Sequence, residues 1–144
     1  MEYSQTGLQL TEQFEGCKLT SYQDSGGVWT IGYGHTRGVH AAMTCTQEQA
    51  EQWLKEDIAL AVQHVNLCLT HEVPQGLFDA LVDFAFNCGP GNLDASRLLK
   101  LVNAGAYKTA LEELPKWDHC AGKVLDGLLR RRLAEKAEAE ASLA

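Results

Sequence analysis

The chain reads as a mostly helical α+β protein with two lobes: a small helix-plus-β-hairpin lobe, a long connecting helix and a helical C-terminal lobe. Three observations predict this. Helical hydrophobic spacing governs residue 46 onwards, β-favouring residues concentrate in 18–33, and a chain of 144 residues, 45% hydrophobic, carries no Pro- or Gly/Ser-rich linker. We therefore expect a single domain over 1–144, with the hairpin lobe at 14–45 and the connecting helix at 46–65. The helical lobe takes 66–144 together with the N-terminal helix, and a cleft is expected between the lobes.

The first element is a helix in which Leu8, Thr11 and Phe14, with Leu10 beside them, form a short stripe. Gly16 suits a left-handed cap, which puts Glu15 in the last turn. Carbonyl dipoles at a helix C-terminus disfavour a carboxylate and favour its protonated form. Two strands follow, at 18–23 and 28–33, joined by Asp24-Ser25-Gly26-Gly27, a turn sequence that places Asp24 at the mouth of a hairpin, hydrated and ionised.

Thr46-Gln47-Glu48-Gln49 matches a capping box, and Ala50, Trp53, Leu54, Asp57, Ile58, Ala61, Val62 and Val65 continue it at helical spacing. Residues 77–87 form a nearly all-apolar helix, the centre of the core, ended by Cys88-Gly89-Pro90-Gly91. Shorter helices are expected at 95–103 and 107–114, and a last one at 126–142.

Taken singly, Glu15, Asp24 and Thr30 are ordinary: a solvated helix-end charge, a turn former and a strand residue. Together they offer two carboxyls in contrasting environments and a hydroxyl on the returning strand, an arrangement suited to glycoside hydrolysis. The segment from Phe14 to Thr36, with Gly32-Tyr33-Gly34-His35-Thr36 at its end, resembles the active-site segment of the phage-type lysozymes, glycoside hydrolase family 24. Phe84-Ala85-Phe86-Asn87-Cys88-Gly89, Asn103-Ala104-Gly105 and Gly127-Leu128-Leu129-Arg130-Arg131-Arg132 extend the resemblance over essentially the whole chain.

The resemblance implies a lysozyme-like fold and an endolysin-type N-acetylmuramidase that hydrolyses the β-1,4 bond between N-acetylmuramic acid and N-acetylglucosamine in peptidoglycan. The reaction it implies is inverting and leads to cytolysis of the host and release of phage progeny. Glu15 is then the acid, with Asp24 and Thr30 holding the attacking water. Phe86 and Asn87 are core or cap residues by default and sugar contacts in the lysozyme reading. Three consecutive arginines span more than half a helical turn, so the plain reading is a solvated basic face. The family's arginine-rich segment implies that one of them, Arg131, approaches Glu15 and the substrate. His35 is either a structural histidine or a base; Asp57, on the inner face of the connecting helix, is its best partner, and we read a structural ion pair.

Two other enzyme readings remain. A lytic transglycosylase also needs a Glu acid, but the presence of Asp24 and Thr30 argues against it. A cysteine amidase built from Cys17, His35 and Asp57 lacks the helix N-terminal setting that activates a thiol. A catalytically inactive peptidoglycan-binding module is the non-enzyme alternative, and a bacterial wall-degrading effector is the alternative biological setting.

The net charge of −7 argues against a nucleic-acid partner and against long-range attraction to an anionic wall polymer. Five cysteines, Cys17, Cys45, Cys68, Cys88 and Cys120, show no Cys-x-x-Cys spacing, so we expect reduced thiols, no metal and no cofactor. No basic-then-apolar leader opens the chain, and no apolar run approaches the ~18 residues of a membrane span. The expectation is no encoded signal peptide, no signal-arrest-release helix and no stable membrane insertion. In the lysozyme reading the protein, a monomer, waits in the host bacterial cytoplasm until a holin releases it to the periplasm and cell wall.

Overall fold

The computed structural model describes every residue except Ala121, Gly122, Leu125 and Ala144, and only the backbone at Cys120, Lys123, Val124 and Asp126. In chain order the elements are α1 (Gln5–Glu15), β1 (Lys18–Gln23), β2 (Trp29–Gly32), α2 (Gln47–Cys68), α3 (Gln75–Cys88), α4 (Pro90–Ala95), α5 (Arg97–Asn103), α6 (Tyr107–Leu111), a 3-10 turn (Leu114–Lys116), β3 (His119–Cys120), β4 (Lys123–Val124) and α7 (Asp126–Ser142). The fold is mostly helical, with two small antiparallel two-stranded sheets among the described residues. The chain forms two compact units, one of 11–60 and one of 1–10 with 61–144.

In the larger unit α3 is the core, with every residue from Gly76 to Ala85 buried. Leu77, Phe78, Leu81 and Phe84 are fully shielded, joined by Leu93, Leu98, Val102, Leu111 and Leu114 from the elements that follow. Gly76 lets α7 approach: a Cβ there would stand 2.4 Å from the Glu138 carbonyl and 2.8 Å from Ser142.

A helix buried all round cannot leave its acids bare. Asp79 accepts hydrogen bonds from Ser4 N (3.1 Å), from Ser4 Oγ and from Gln75 Nε2 (2.9 Å). The same Ser4 hydroxyl accepts from Gly7 N at 3.1 Å, capping the start of α1. Asp83 takes a two-pronged bond from Arg131, through Nε at 2.8 Å and Nη2 at 2.7 Å. Arg132 donates to Glu135 at 2.7 Å and to Cys88, and its guanidinium lies 5.0 Å over the Phe84 ring. Arg131 and Arg132 therefore do not form a solvated face. They are 4% and 0% exposed, drawn inward by the acids of α3 and α7, while Arg130 stays at the surface.

The shorter helices depart from the sequence expectation in two places. Pro90 starts α4 at its first turn, where a missing N–H costs nothing, and so does not merely terminate α3. Ser96 then separates α4 from α5, capping α5 by accepting from Leu99 N at 3.1 Å. Beyond α6, Leu114-Pro115-Lys116 forms the 3-10 turn, and β3 with β4 adds a small hairpin before α7.

In the smaller unit β1 pairs with β2, with Tyr22 opposite Thr30 and Gln23 opposite Trp29. The free edge of β1 takes a third extended segment that sequence reading did not show: Ser21 N donates to Met43 O (2.8 Å) and Cys45 N to Leu19 O (2.9 Å). The capping box at the start of α2 is reciprocal, Gln49 N to Thr46 Oγ1 and Thr46 N to Gln49 Oε1, each at 3.1 Å.

The acids of α7 set a pH dependence. Burial, then the hydrogen bond and charge of Asp79, then the charge of Asp83, raise Glu138 from 4.5 to about 8. Burial raises Glu135 well above the ordinary carboxyl range, with Asp83 adding to it. The native state thus keeps a proton that the unfolded chain releases near 4.5, so stability is full below that pH and falls as pH rises towards about 8. Replacing Glu138 by Gln should flatten the decline in thermal midpoint between those limits; an unchanged slope would assign it elsewhere.

Candidate active site

Glu15, half-buried, is the last residue of α1. Gly16 follows at φ +65° and its N–H reaches Glu12 O at 3.0 Å, so the helix closes in a left-handed turn and the chain passes straight into β1.

Asp24 sits exposed at the hairpin mouth. Its Oδ1 accepts from Gly26 N (2.8 Å) and Val28 N (2.9 Å), and its own N–H donates to Val28 O at 2.9 Å. Two backbone donors on one oxygen hold the carboxylate to its turn and leave Oδ2 outside those bonds. Thr30, 5% exposed, lies on β2 and donates from Oγ1 to Val28 O at 3.0 Å, which leaves its oxygen to accept. One short loop thus orders both groups, through the two backbone ends of Val28.

After β2 the chain reverses within Gly32-Tyr33-Gly34, where Ile31 and His35 exchange both backbone hydrogen bonds at 2.9 Å. Gly32 takes φ +65°, and α2 crosses close by, so that a Cβ there would meet the Ala50 Cβ at 3.1 Å. Gly34, at φ +81°, lies against Glu15, whose Oε2 would stand 3.9 Å from a Cβ at that position. Tyr33 is buried and accepts from Gln47 Nε2 at 2.9 Å, and burial pushes its phenol up.

His35 is 7% exposed, its Nδ1 lies 2.9 Å from Asp57 Oδ2, and its ring stacks on Trp53 at 4.6 Å with the planes 6° apart. These contacts tie the 32–34 turn to α2.

Glu15, Asp24, Thr30, His35 and Asp57 all belong to the smaller unit, whereas Phe86, Asn87 and Arg131 belong to the larger. Phe86 and Asn87, both half-buried, occupy the last turn of α3, with the Cys88 thiol 3.6 Å from Asn87 Oδ1. Arg131 is engaged with Asp83. Cys17 donates to Gln47 Oε1 at 3.6 Å, and burial, then Cys45, raise its thiol, the opposite of an activated nucleophile. The four described cysteines are free thiols, and the side chain of Cys120 lies outside the described residues.

Sequence reasoning missed Tyr33 and Gln47, whose bond steadies the turn beside Glu15, and Gly34, whose φ of +81° closes that turn. The signal was Gly32-Tyr33-Gly34 itself: two glycines around one aromatic, at the end of a strand, mark a backbone reversal.

Removing the His35 ring should test whether it supports or reacts. His35→Ala loses the stack and the Asp57 bond and is expected to lower the unfolding free energy by about 2–3 kcal/mol in urea titration. A fall in turnover at unchanged stability would instead make His35 a reacting group.

Residues 12–135 match the model of the phage lysozyme family. The endolysin of Acyrthosiphon pisum secondary endosymbiont phage 1 is 41% identical over 141 residues, 95% of this chain and 97% of that one. The endolysin of Bacillus phage B103 is 40% identical over 94% of this chain, which spans just over half, 53%, of that longer protein. Among solved structures, an endolysin from Escherichia coli O157:H7 phage FAHEc1 superposes with a TM-score of 0.90 at 36% identity, covering 96% of this chain and 93% of that one. The muramidase domain of SpmX from Asticaccaulis excentricus gives 0.88 at 35% identity, covering 95% and 96%.

Proposed function

The chain belongs to the phage lysozyme family, and from that premise we propose that it is an N-acetylmuramidase cutting the β-1,4 bond between N-acetylmuramic acid and N-acetylglucosamine. It is a lysozyme-type endolysin, a glycosidase-type hydrolase whose substrate is peptidoglycan. What supports the residue roles is one observation: the hairpin that anchors Asp24 through Oδ1 also carries Thr30 and follows directly on Glu15.

Glu15, protonated, donates to the glycosidic oxygen as the bond to the anomeric carbon breaks. A water held by Asp24 Oδ2 and Thr30 Oγ1 attacks that carbon from the opposite face, and its proton passes to Asp24. The water donates to both oxygens, a geometry open to Thr30 because its own hydrogen is committed to Val28 O. The Asp24 charge also stabilises the oxocarbenium-like carbon in the transition state.

A water between nucleophile face and base gives inversion, which calls for carboxyls roughly 6.5–9.5 Å apart in the working enzyme. Phe86 and Asn87 serve as sugar contacts in this scheme. Arg131 acts from its pair with Asp83, and His35 with Asp57 supports the turn beside Glu15. Among the described residues no helix is long and apolar enough to cross a membrane. We take the protein to be a monomer held in the host cytoplasm and released to the wall through a holin, for lysis and phage release.

Mass spectrometry of digested peptidoglycan tests the chemistry. Wild type should leave reducing muramic-acid ends, and Glu15→Gln and Asp24→Asn, still folded, should each lose at least ~10²-fold in rate. Anhydro ends would make the enzyme a transglycosylase; near-normal rates in both variants would move the site. The anomer formed first, read by NMR on a chitooligosaccharide or glycan fragment, should be α from the β-linked substrate. A β product would indicate retention and a covalent route.

A further inference from the structure

We propose that His64, Cys68 and Asp94 form a site for a divalent zinc-like transition-metal ion that clips the C-terminal part of α2 to α4. None of the three takes part in the hydrolytic scheme, and all lie in the larger unit.

The geometry carries the inference. His64 and Cys68 stand four residues apart on α2, so their side chains project from one helical face. Asp94 comes from α4, and its Oδ1 already lies 2.8 Å from His64 Nε2. The three ligand atoms, an imidazole nitrogen, a thiol sulfur and a carboxylate oxygen, all fall within 4.8 Å of one another. Tetrahedral zinc, with bonds of about 2.0–2.1 Å to nitrogen and about 2.3 Å to sulfur, needs ligand atoms roughly 3.3–3.6 Å apart. Opening the His64–Asp94 contact by about half an ångström, and closing the longest of the three separations by about an ångström, reaches that spacing. The Asp94 side chain is 49% exposed, so it has room to move.

The donor set selects the ion. A soft sulfur, a borderline imidazole and one hard oxygen favour zinc or cobalt over calcium or magnesium, which want oxygen alone. The Cys68 thiol is half-buried and donates to Val65 O at 3.5 Å; on binding it gives its proton to solvent and its sulfur to the ion. His64 is 30% exposed on its side chain, which leaves a fourth position for water. The pattern was missed in the sequence because it is neither Cys-x-x-Cys nor His-x-x-x-His, and its third ligand lies 26 residues beyond Cys68 on another helix.

Cobalt(II) titration of the reduced, chelator-treated full chain reads the site directly. The wild type should show a sulfur-to-cobalt charge-transfer band that saturates at about one equivalent, and zinc should abolish it. Cys68→Ser should lack the band while Cys45→Ser retains it. His64→Gln and Asp94→Asn, changes at partly exposed positions, should each weaken binding at least tenfold. Zinc should raise the thermal midpoint of the wild type and not of these two variants, a readout that does not depend on the Cys68 variant folding. No band in the wild type, the same band in Cys68→Ser, or equal affinity in His64→Gln and Asp94→Asn would overturn the site.

Discussion

The larger unit depends on neutralising the acids of α3. A helix buried from Gly76 to Ala85 supplies the apolar surface that gathers α4 to α7, yet it carries Asp79 and Asp83 in the same stretch. An uncompensated carboxylate there would cost more than several buried leucines contribute. The partners arrive from both ends of the chain: Ser4, ahead of α1, bonds Asp79, and Arg131, in α7, bonds Asp83. The last helix is thus held by charge geometry as well as by the close approach at Gly76. Its own acids, Glu135 and Glu138, meet the same constraint with carboxyl pKa values that burial raises.

The smaller unit is organised by backbone rather than by charge. Asp24 spends Oδ1 on the N–H groups of its own turn, Val28 offers its N–H to Asp24 and its carbonyl to both Asp24 and Thr30, and the next reversal is closed by Ile31 and His35. Asp24 and Thr30 are each oriented by residues within a few positions of them in sequence. Gly32 against Ala50 and His35 on Trp53 and Asp57 keep the loop pressed to α2.

That contrast explains what the sequence disclosed. Glu15 at a helix end, Asp24 in a Gly-rich turn and Thr30 on the return strand are local facts, and local propensity reveals them. The capping box at Thr46, the periodicity of α2 and the all-apolar run of α3 are local too, and Asp57 was placed facing His35 by that periodicity alone. The failures are non-local. Three arginines in a row look solvated until Asp83 inside an apolar helix and Glu135 on α7 are asked where their counter-charges come from. Pro90 looked like a stop because a proline after glycine usually is one; whether a new helix starts depends on the burial of Leu93, which no neighbour in sequence announces. The 43–45 segment has no β pattern of its own and pairs because β1 has a vacant edge.

Stability and chemistry therefore rest on different kinds of interaction in this chain. The larger unit is stabilised by contacts between residues up to 75 positions apart, such as Ser4 with Asp79, while Asp24 and Thr30 are set by short-range backbone bonds. Exposed Asp24 contributes to its turn through one oxygen, and an amide side chain keeps an oxygen in that place, so Asn preserves the turn and removes only the charge. Glu15, at the end of its helix, likewise keeps its shape as Gln while losing the proton it would donate. The chemistry is thus separable from the fold by single-atom changes, a consequence of building the site on a hairpin rather than in the buried ionic core.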